Sequence, residues 1–188
     1  MLETTQLDYS ARGLTDVPSE VWTLLELRRL NLGANQLQVL PERIGTLTDL
    51  THLYVHNNRL RSLPEQVGAL ARLQVLDLSH DNRLTDLPDS VANLQALEFL
   101  YLANNALVTF PGVVTHLRSL LYLNLTDNRL THIADDIGAL TNLLELRLYN
   151  NQISSLPESI GTLGNLRELH VMNNRLSAQP NSIGNLTC

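Results

Sequence analysis

The feature that most constrains the fold is a motif of 23 residues that repeats along nearly the whole sequence. One spacing between equivalent positions is 24 residues, and the others are 23. A fixed period of this length indicates stacked structural repeats, each of which buries its apolar side chains against its neighbours. We therefore expect one elongated domain. The leucines that open successive repeats are Leu27, Leu50, Leu73, Leu97, Leu120, Leu143 and Leu166.

Each repeat follows the pattern L-x-x-L-x-L-x-x-N-x-L-x-x-L-P-x-x-I-G-x-L-x-x. Alternating apolar residues such as Leu53 and Val55 predict a short strand whose leucines point inward. The proline that follows fixes φ and cannot pair as a strand residue. The few remaining residues are therefore expected to form a 3₁₀ turn or a short helix. Stacking such units places the strands side by side and parallel.

The repeats give the domain organisation. Residues 1–26 form a degenerate first copy, in which Arg12 replaces the asparagine and Trp22 replaces the usual glycine. A stack needs an atypical terminal unit, because its outer side has no neighbour, so we predict an N-terminal capping repeat covered by Trp22. Residues 27–188 then contain seven repeats of one continuous domain. These span residues 27–49, 50–72, 73–96, 97–119, 120–142, 143–165 and 166–188.

An asparagine stands in each repeat where the strand must turn away. Its amide carries both a donor and an acceptor, and it can therefore satisfy backbone groups of the loop that would otherwise be buried without partners. We predict that these asparagines form a structural ladder along the stack. They are Asn35, Asn58, Asn82, Asn105, Asn128, Asn151 and Asn174.

The 24-residue repeat departs from the pattern between Leu78 and Asn82. There His80 and Asp81 together fill the place of one residue. One extra residue in a strand exit is expected to form a bulge and to re-aim nearby side chains.

These repeats resemble leucine-rich repeat proteins of the 23-residue LPxxIG class, which occurs in intracellular Ras-signalling scaffolds, plant Ras-group relatives and many bacterial proteins. The resemblance covers nearly the whole chain. It implies an α/β fold: a right-handed parallel solenoid, or horseshoe, with short parallel strands on its concave face. The convex face would carry 3₁₀ or short helical turns. For function the resemblance implies the binding of other proteins, without indicating which ones.

Side chains between the inward leucines of each strand must face the concave surface, because strand residues alternate sides. This surface collects four of the five tyrosines and three of the six histidines of the chain. Phe99, Tyr101 and Tyr122 together favour a protein-binding hot spot; the alternative is that aromatic residues simply suit strands. The predicted partner-binding residues are His52, Tyr54, His56, Phe99, Tyr101, Tyr122, Arg147, Tyr149 and His170.

Charge and composition argue against several other functions. The net charge is −6 and no run of basic residues occurs, which argues against nucleic-acid and anionic-membrane binding. No apolar stretch is long enough to insert into a membrane. Cys188 is the single cysteine, so no intramolecular disulfide is expected, and a reducing cytoplasmic location is favoured. Delivery into a host cell as an effector stays open.

Catalysis is not indicated by any motif of the chain. No phosphate-binding loop or nucleophile elbow is present, and His52 and His56 would lie about 13 Å apart on a strand, too far to share one metal ion. We therefore predict no catalytic residue, no metal ligand and no cofactor.

The sequence thus predicts a non-catalytic protein-interaction module of a scaffold or signalling kind that binds a partner on its concave face. The alternative is the substrate-recognition domain of a larger enzyme, such as an effector ubiquitin ligase, a kinase or a GTPase. The sequence also leaves open weak self-association through an uncapped C-terminal face, with a disulfide through Cys188. Partner identity, source and oligomeric state do not follow from these residues.

Overall fold

The computed structural model describes residues 4–186, which form a stack of alternating strands and 3₁₀ helices. The strands make one parallel sheet in chain order, which confirms the predicted parallel solenoid. Cys188 lies outside the described residues, as do the outermost residues of the predicted first and last units. The strands are β1 (Gln6–Asp8), β2 (Arg29–Asn31), β3 (His52–Tyr54), β4 (Val75–Asp77), β5 (Phe99–Tyr101), β6 (Tyr122–Asn124), β7 (Glu145–Arg147) and β8 (Glu168–His170).

The opposite side of each unit is a 3₁₀ helix, as expected from the few residues available there. Its first residue follows a proline in extended conformation, for example Pro64 at φ −73°. In the sixth unit Ala134 replaces that proline, and the helix there has three residues instead of five. The 3₁₀ helices are η1 (Ser19–Thr23), η2 (Glu42–Thr46), η3 (Glu65–Ala69), η4 (Asp89–Asn93), η5 (Gly112–His116), η6 (Ile137–Ala139), η7 (Glu158–Thr162) and η8 (Asn181–Asn185).

The core is a set of leucine columns that run the length of the stack. The strand register aligns Leu30 with Leu53 and Leu53 with Leu76, and these side chains have no exposed area. Each unit therefore buries its leucines between the equivalent leucines of its two neighbours, as the repeat pattern predicts.

Glycine is needed at several LPxxIG positions because consecutive 3₁₀ helices approach closely there, although η4 carries Ala92 at this position. A Cβ on Gly68 would lie 2.5 Å from the backbone oxygen of Ser90, and one on Gly161 would lie 2.3 Å from that of Ser182. Thr115 takes the glycine position in η5 and is buried there. Its hydroxyl donates to the carboxylate of Asp136 in the next unit at 2.8 Å.

The ladder asparagines bind the backbone of two consecutive units. Asn58, which is 1% exposed, accepts the N–H of Leu37 at 2.9 Å. Its amide nitrogen donates to the carbonyls of Leu32 in the previous unit, at 2.9 Å, and Val55 in its own unit, at 3.1 Å. The equivalent asparagines of the other units repeat this pattern.

The extra residue of the 24-residue repeat is absorbed at the strand exit. His80 and Asp81 both have left-handed φ values, of 58° and 56°, whereas the other units have a single such residue at this point. The N–H of Asn57 is shared between the carbonyls of Ser79 and His80, at 2.9 and 3.0 Å. The register is unchanged, since Leu76 still pairs with Leu100.

The two ends of the stack leave apolar side chains partly uncovered. At the first unit Tyr9 and Trp22 are half-buried and pack against the core. At the last unit the half-buried side chains include Leu169, Val171 and Ile183. That an N-terminal cap or self-association uses these ends stays a prediction.

Candidate functional site

The nine predicted binding residues lie on the concave face, which is the side of the sheet away from the leucine core. Seven of them stand within strands, at the first or third residue: His52 and Tyr54 on β3, Phe99 and Tyr101 on β5, Tyr122 on β6, Arg147 on β7 and His170 on β8. His56 and Tyr149 follow β3 and β7. All nine are half-buried.

Phe99, Tyr101 and Tyr122 form one aromatic cluster across β5 and β6. The ring centres of Tyr101 and Tyr122 are 4.9 Å apart, and those of Phe99 and Tyr122 are 6.4 Å apart. Burial raises the pKa of both tyrosines, so their hydroxyls stay protonated at neutral pH. The cluster offers a mixed apolar and hydrogen-bonding surface, in which the Tyr122 ring contacts both of the other rings.

Arg147 borders this aromatic cluster on its C-terminal side. Its guanidinium lies over the Tyr122 ring at 5.5 Å from the ring centre, and its Nε donates to the carboxylate of Glu145 on the same strand. A cation over an aromatic face is attracted by the ring quadrupole. Arg147 is therefore fixed by a ring on one strand and a carboxylate on its own strand.

Glu145, Glu168 and His170 form a polar group next to Arg147. Their ligand atoms lie within 4.8 Å of one another, and His170 Nε2 is 2.9 Å from Glu168 and 3.8 Å from Glu145. Two carboxylates and an imidazole are suitable ligands for a divalent cation, although the sequence analysis predicted no metal ligand. Arg147 already pairs with Glu145, and its positive charge would repel a metal cation at these residues.

His52, Tyr54 and His56 lie apart from the aromatic cluster. His52 and Tyr54 are 6.2 Å apart between ring centres. The His56 ring occupies the space above Gly33, where a Cβ would lie 2.5 Å from it. Strand β4 separates these residues from β5, so the predicted nine-residue surface consists of two groups.

Arg29 and Thr51 hold His52 in its neutral form. An Nη2–H of Arg29 donates to His52 Nε2 at 3.1 Å, so Nδ1 carries the proton and donates to the hydroxyl of Thr51 at 2.9 Å. Burial, and then the positive charge of Arg29, lower the pKa of His52. The imidazole is thus uncharged at neutral pH.

One role of the concave residues was missed by the sequence analysis. Where the last strand residue is Asp or Asn, its side chain accepts the N–H two residues later, in an Asx turn. In the other four strands the side chain of the last residue has no carboxylate or amide oxygen to form this turn. These residues are Tyr54, Tyr101, Arg147 and His170. The Asx turns join Asp8 to Ser10, Asn31 to Gly33, Asp77 to Ser79 and Asn124 to Thr126, at 2.8 to 3.0 Å.

The Asx turns divide the strand ends of the concave face into those that bond to their own loop and those that do not. Their signal, Asp or Asn followed two residues later by Ser, Gly or Thr, is visible in the sequence. It is also common outside such turns, so only the strand register shows which instances form one. Four of the predicted binding residues are strand ends without an Asx turn.

Family models match most of the chain. The model described as leucine rich repeat matches residues 25–84 and 71–130, and the model described as leucine-rich repeat region matches residues 112–188. A comparison with curated proteins gives no match. Among residues 4–186, no helix is long and apolar enough to cross a membrane.

Solved structures share the fold over nearly the whole chain. A leucine-rich repeat protein of Leptospira interrogans superimposes with a TM-score of 0.90 at 33% identity, and covers 98% of this chain and 53% of its own. The ectodomain of the Arabidopsis thaliana receptor kinase GASSHO1/SCHENGEN3, in complex with CASPARIAN STRIP INTEGRITY FACTOR 2, has a TM-score of 0.82 at 32% identity, covering 95% and 22%. The plant peptide hormone receptor RGFR1, in complex with RGF2, has a TM-score of 0.75 at 30% identity, covering 97% and 34%. The chain thus spans about half or less of the length of these proteins.

Proposed function

Because the chain belongs to the leucine-rich repeat family, we propose that it is a non-catalytic protein-binding module whose partner contacts the concave face around Phe99, Tyr101 and Tyr122. The observation that carries this proposal is the aromatic cluster. Its three rings lie on the face of the sheet away from the leucine core. The Tyr122 ring is held by contacts with the other two rings and with the guanidinium of Arg147.

Such a cluster has the physical properties of a binding hot spot. Aromatic side chains bury a large area with little loss of conformational freedom, and they are enriched among the residues that dominate interface energies. Contacts between the rings restrict their rotamers before binding, so less entropy is lost when a partner arrives. The charged residues on β7 and β8 would give the cluster a polar rim on one side, which favours orientation of the partner.

The plant neighbours support a protein or peptide partner, since their structures are complexes with CASPARIAN STRIP INTEGRITY FACTOR 2 and with RGF2. A second candidate function is recognition on behalf of a larger protein. It is favoured by the neighbour from a receptor kinase, of which this fold is only a part. A scaffold or signalling role in the cytoplasm stays a prediction.

The test is to capture a partner from a lysate of the source cells, identify it, and measure its Kd by calorimetry for three proteins. They are the wild type, a triple variant with Phe99→Ser, Tyr101→Ser and Tyr122→Ser, and a control with Leu25→Ser, Val39→Ser and Val108→Ser. The control removes three apolar side chains that are 50% to 69% exposed and lie outside the strands.

We expect the concave variant to lose affinity at least 100-fold and the control to stay within threefold of the wild type, with both variants folded by circular dichroism. Truncating one hot-spot residue costs about 2 kcal/mol or more of binding free energy. The three truncations together are therefore expected to cost more than a 100-fold loss of affinity. Equal affinity of the concave variant and the wild type would refute the proposal.

A further inference from the structure

Asp77 stands between two tyrosines on the concave face. The register pairs it with Tyr54 on β3 and with Tyr101 on β5. Because neighbouring strands are about 4.8 Å apart, the two tyrosine backbones are about 9.6 Å apart. Tyr101 packs towards Tyr122 on β6, and Tyr54 packs along its own strand against His52. The strands that carry the two tyrosines therefore flank the strand of the carboxylate, of which the side chain is 19% exposed.

The carboxylate of Asp77 has one oxygen committed to the fold and one facing a histidine. Oδ1 accepts the N–H and the hydroxyl of Ser79. Oδ2 lies 3.3 Å from Nδ1 of His56, a buried nitrogen without hydrogen-bond geometry to any partner in the described part of the chain. Within residues 4–186 no arginine forms an ion pair with Asp77, whereas Glu145 pairs with Arg147.

The same face contains an example of a cation that is held by both a carboxylate and an aromatic ring. Arg147 lies over the Tyr122 ring and binds the carboxylate of Glu145, so a carboxylate and an aromatic ring together hold a guanidinium. Asp77, with Tyr54 and Tyr101 on the flanking strands, presents the same two components without an arginine. A planar guanidinium can bind a carboxylate and stack on a ring at the same time.

We propose that Asp77 binds a basic side chain of the partner, an arginine in preference to a lysine, between Tyr54 and Tyr101. An apolar residue of the partner would lie beside it on Phe99 and Tyr122. This inference rests on the protein-binding function proposed above. The net charge of −6 also favours a basic partner, since it steers opposite charge to the surface.

The test uses a phage-displayed library of random dodecamer peptides, selected against the wild-type protein. Selected peptides are synthesised, and their Kd values are measured by calorimetry. We expect the peptides to share a basic residue beside an apolar one. Replacing that basic residue by citrulline, which is neutral and of similar shape, should weaken binding at least tenfold.

Two matched variants locate the basic residue on the protein. Asp77→Asn should weaken the binding of the peptides at least tenfold, while Asp8→Asn should change their Kd by less than twofold. Asp8 makes the same Asx turn, to Ser10 at 2.8 Å, but its neighbour on β2 is Asn31 and not an aromatic residue. Both variants should stay folded, because Asn124 already forms such a turn with an amide, to Thr126 at 3.0 Å.

The outcomes separate this inference from the proposed function. Peptides that are lost with the triple serine variant, but that tolerate both citrulline and Asp77→Asn, would overturn the inference and leave the proposed function standing. Peptides that are unaffected by the triple serine variant would overturn the proposed function. A library that yields no ligand for the wild type would count against both.

Discussion

The side-chain amide of Asn58 donates to the carbonyl oxygen of Leu32, which lies 26 residues earlier in the chain, at 2.9 Å. Its Oδ1 accepts the N–H of Leu37, also in the previous unit. One buried side chain thus pairs backbone groups that two stacked units leave without partners. The stacking of units is held by these polar bonds as well as by the leucines.

Replacing Asn58 by leucine should therefore lower the free energy of unfolding by about 3 kcal/mol or more, since each buried group left unpaired costs about 1 to 3 kcal/mol. Asn174→Leu, in the half-buried last unit, should cost about 1 kcal/mol, because water can bond to the backbone groups that lose the asparagine as a partner. Urea unfolding measures both. Equal losses at the two positions would contradict the burial argument.

Gly161→Ala and Gly184→Ala make a matched pair at the same motif position. A Cβ at Gly161 would lie 2.3 Å from the backbone oxygen of Ser182, whereas one at Gly184 meets nothing within 4 Å in the described structure. We expect Gly161→Ala to destabilise the protein by about 1 to 3 kcal/mol through overpacking. Gly184→Ala should be neutral or slightly stabilising. Thermal unfolding distinguishes the two, and similar Tm values would refute the explanation.

Replacing Ala34 by asparagine should stabilise the protein. Ala34 has φ 55°, a left-handed conformation, and the equivalent residue in four other units is an asparagine: Asn57, Asn104, Asn150 and Asn173. Asparagine adopts this conformation more readily than alanine, so we expect a gain of about 0.5 to 1 kcal/mol by urea unfolding. As a control, Ala139→Asn in η6 should give no gain.

His52 should titrate below the ordinary histidine pKa of about 6.5, because burial and the charge of Arg29 lower its pKa. Arg29→Gln should raise the pKa only part of the way back, since burial is the larger cause. Because the folded pKa lies below the unfolded one, the stability that His52 provides is present above about pH 6.5 and is lost as the pH falls through the folded value. NMR titration of the imidazole protons tests both points, and a pKa unchanged by Arg29→Gln would exclude the electrostatic contribution.

Glu158 should contribute to stability only where it is ionised. Backbone N–H groups of Ser182 and Asn181 lower its pKa, and they lie 2.9 and 3.0 Å from its carboxylate. The contribution is thus present above the ordinary glutamate pKa of about 4.3 and is lost as the pH falls through the lower folded value. Glu158→Gln should destabilise the protein at pH 7, and the difference from the wild type should shrink in acid.

The control for Glu158 is Glu42→Gln. Glu42 has the same motif position, directly after the proline, but makes no side-chain hydrogen bond among those of residues 4–186. It should change stability little at either pH. Urea unfolding at pH 7 and pH 3.5 compares the two variants, and a pH-independent effect of Glu158→Gln would contradict this role.

Much of the fold could be predicted from the sequence, because the repeat determines it. The spacing of Leu53 and Val55 predicts the strand, and Pro64 with the short segment after it predicts the 3₁₀ helix. These predictions rest on periodicity and backbone geometry, which do not depend on neighbouring units. The position of His80 and Asp81 likewise predicts where an extra residue must be absorbed.

The candidate site could be predicted only as a face. Alternation along each strand assigns Phe99, Tyr101 and Tyr122 to one side of the sheet. It does not show that the Tyr122 ring contacts both of the others, or that Arg147 turns towards it, because rotamers depend on neighbours about 23 residues away in the chain. The Asx turn of Asp77 was missed for the same reason, since its signal has meaning only once the end of the strand is known.

The division between strand ends with an Asx turn and strand ends without one has an evolutionary consequence. A repeat that ends its strand with Asn31 or Asn124 uses that side chain to bond its own loop, so mutation there is selected through its effect on folding. Where a repeat ends its strand with Tyr54 or Tyr101, mutation at that position is selected through its effect on ligand binding instead. Duplicated copies of such a chain can therefore diverge in what they bind by changing the second kind of position alone, with their common scaffold left intact.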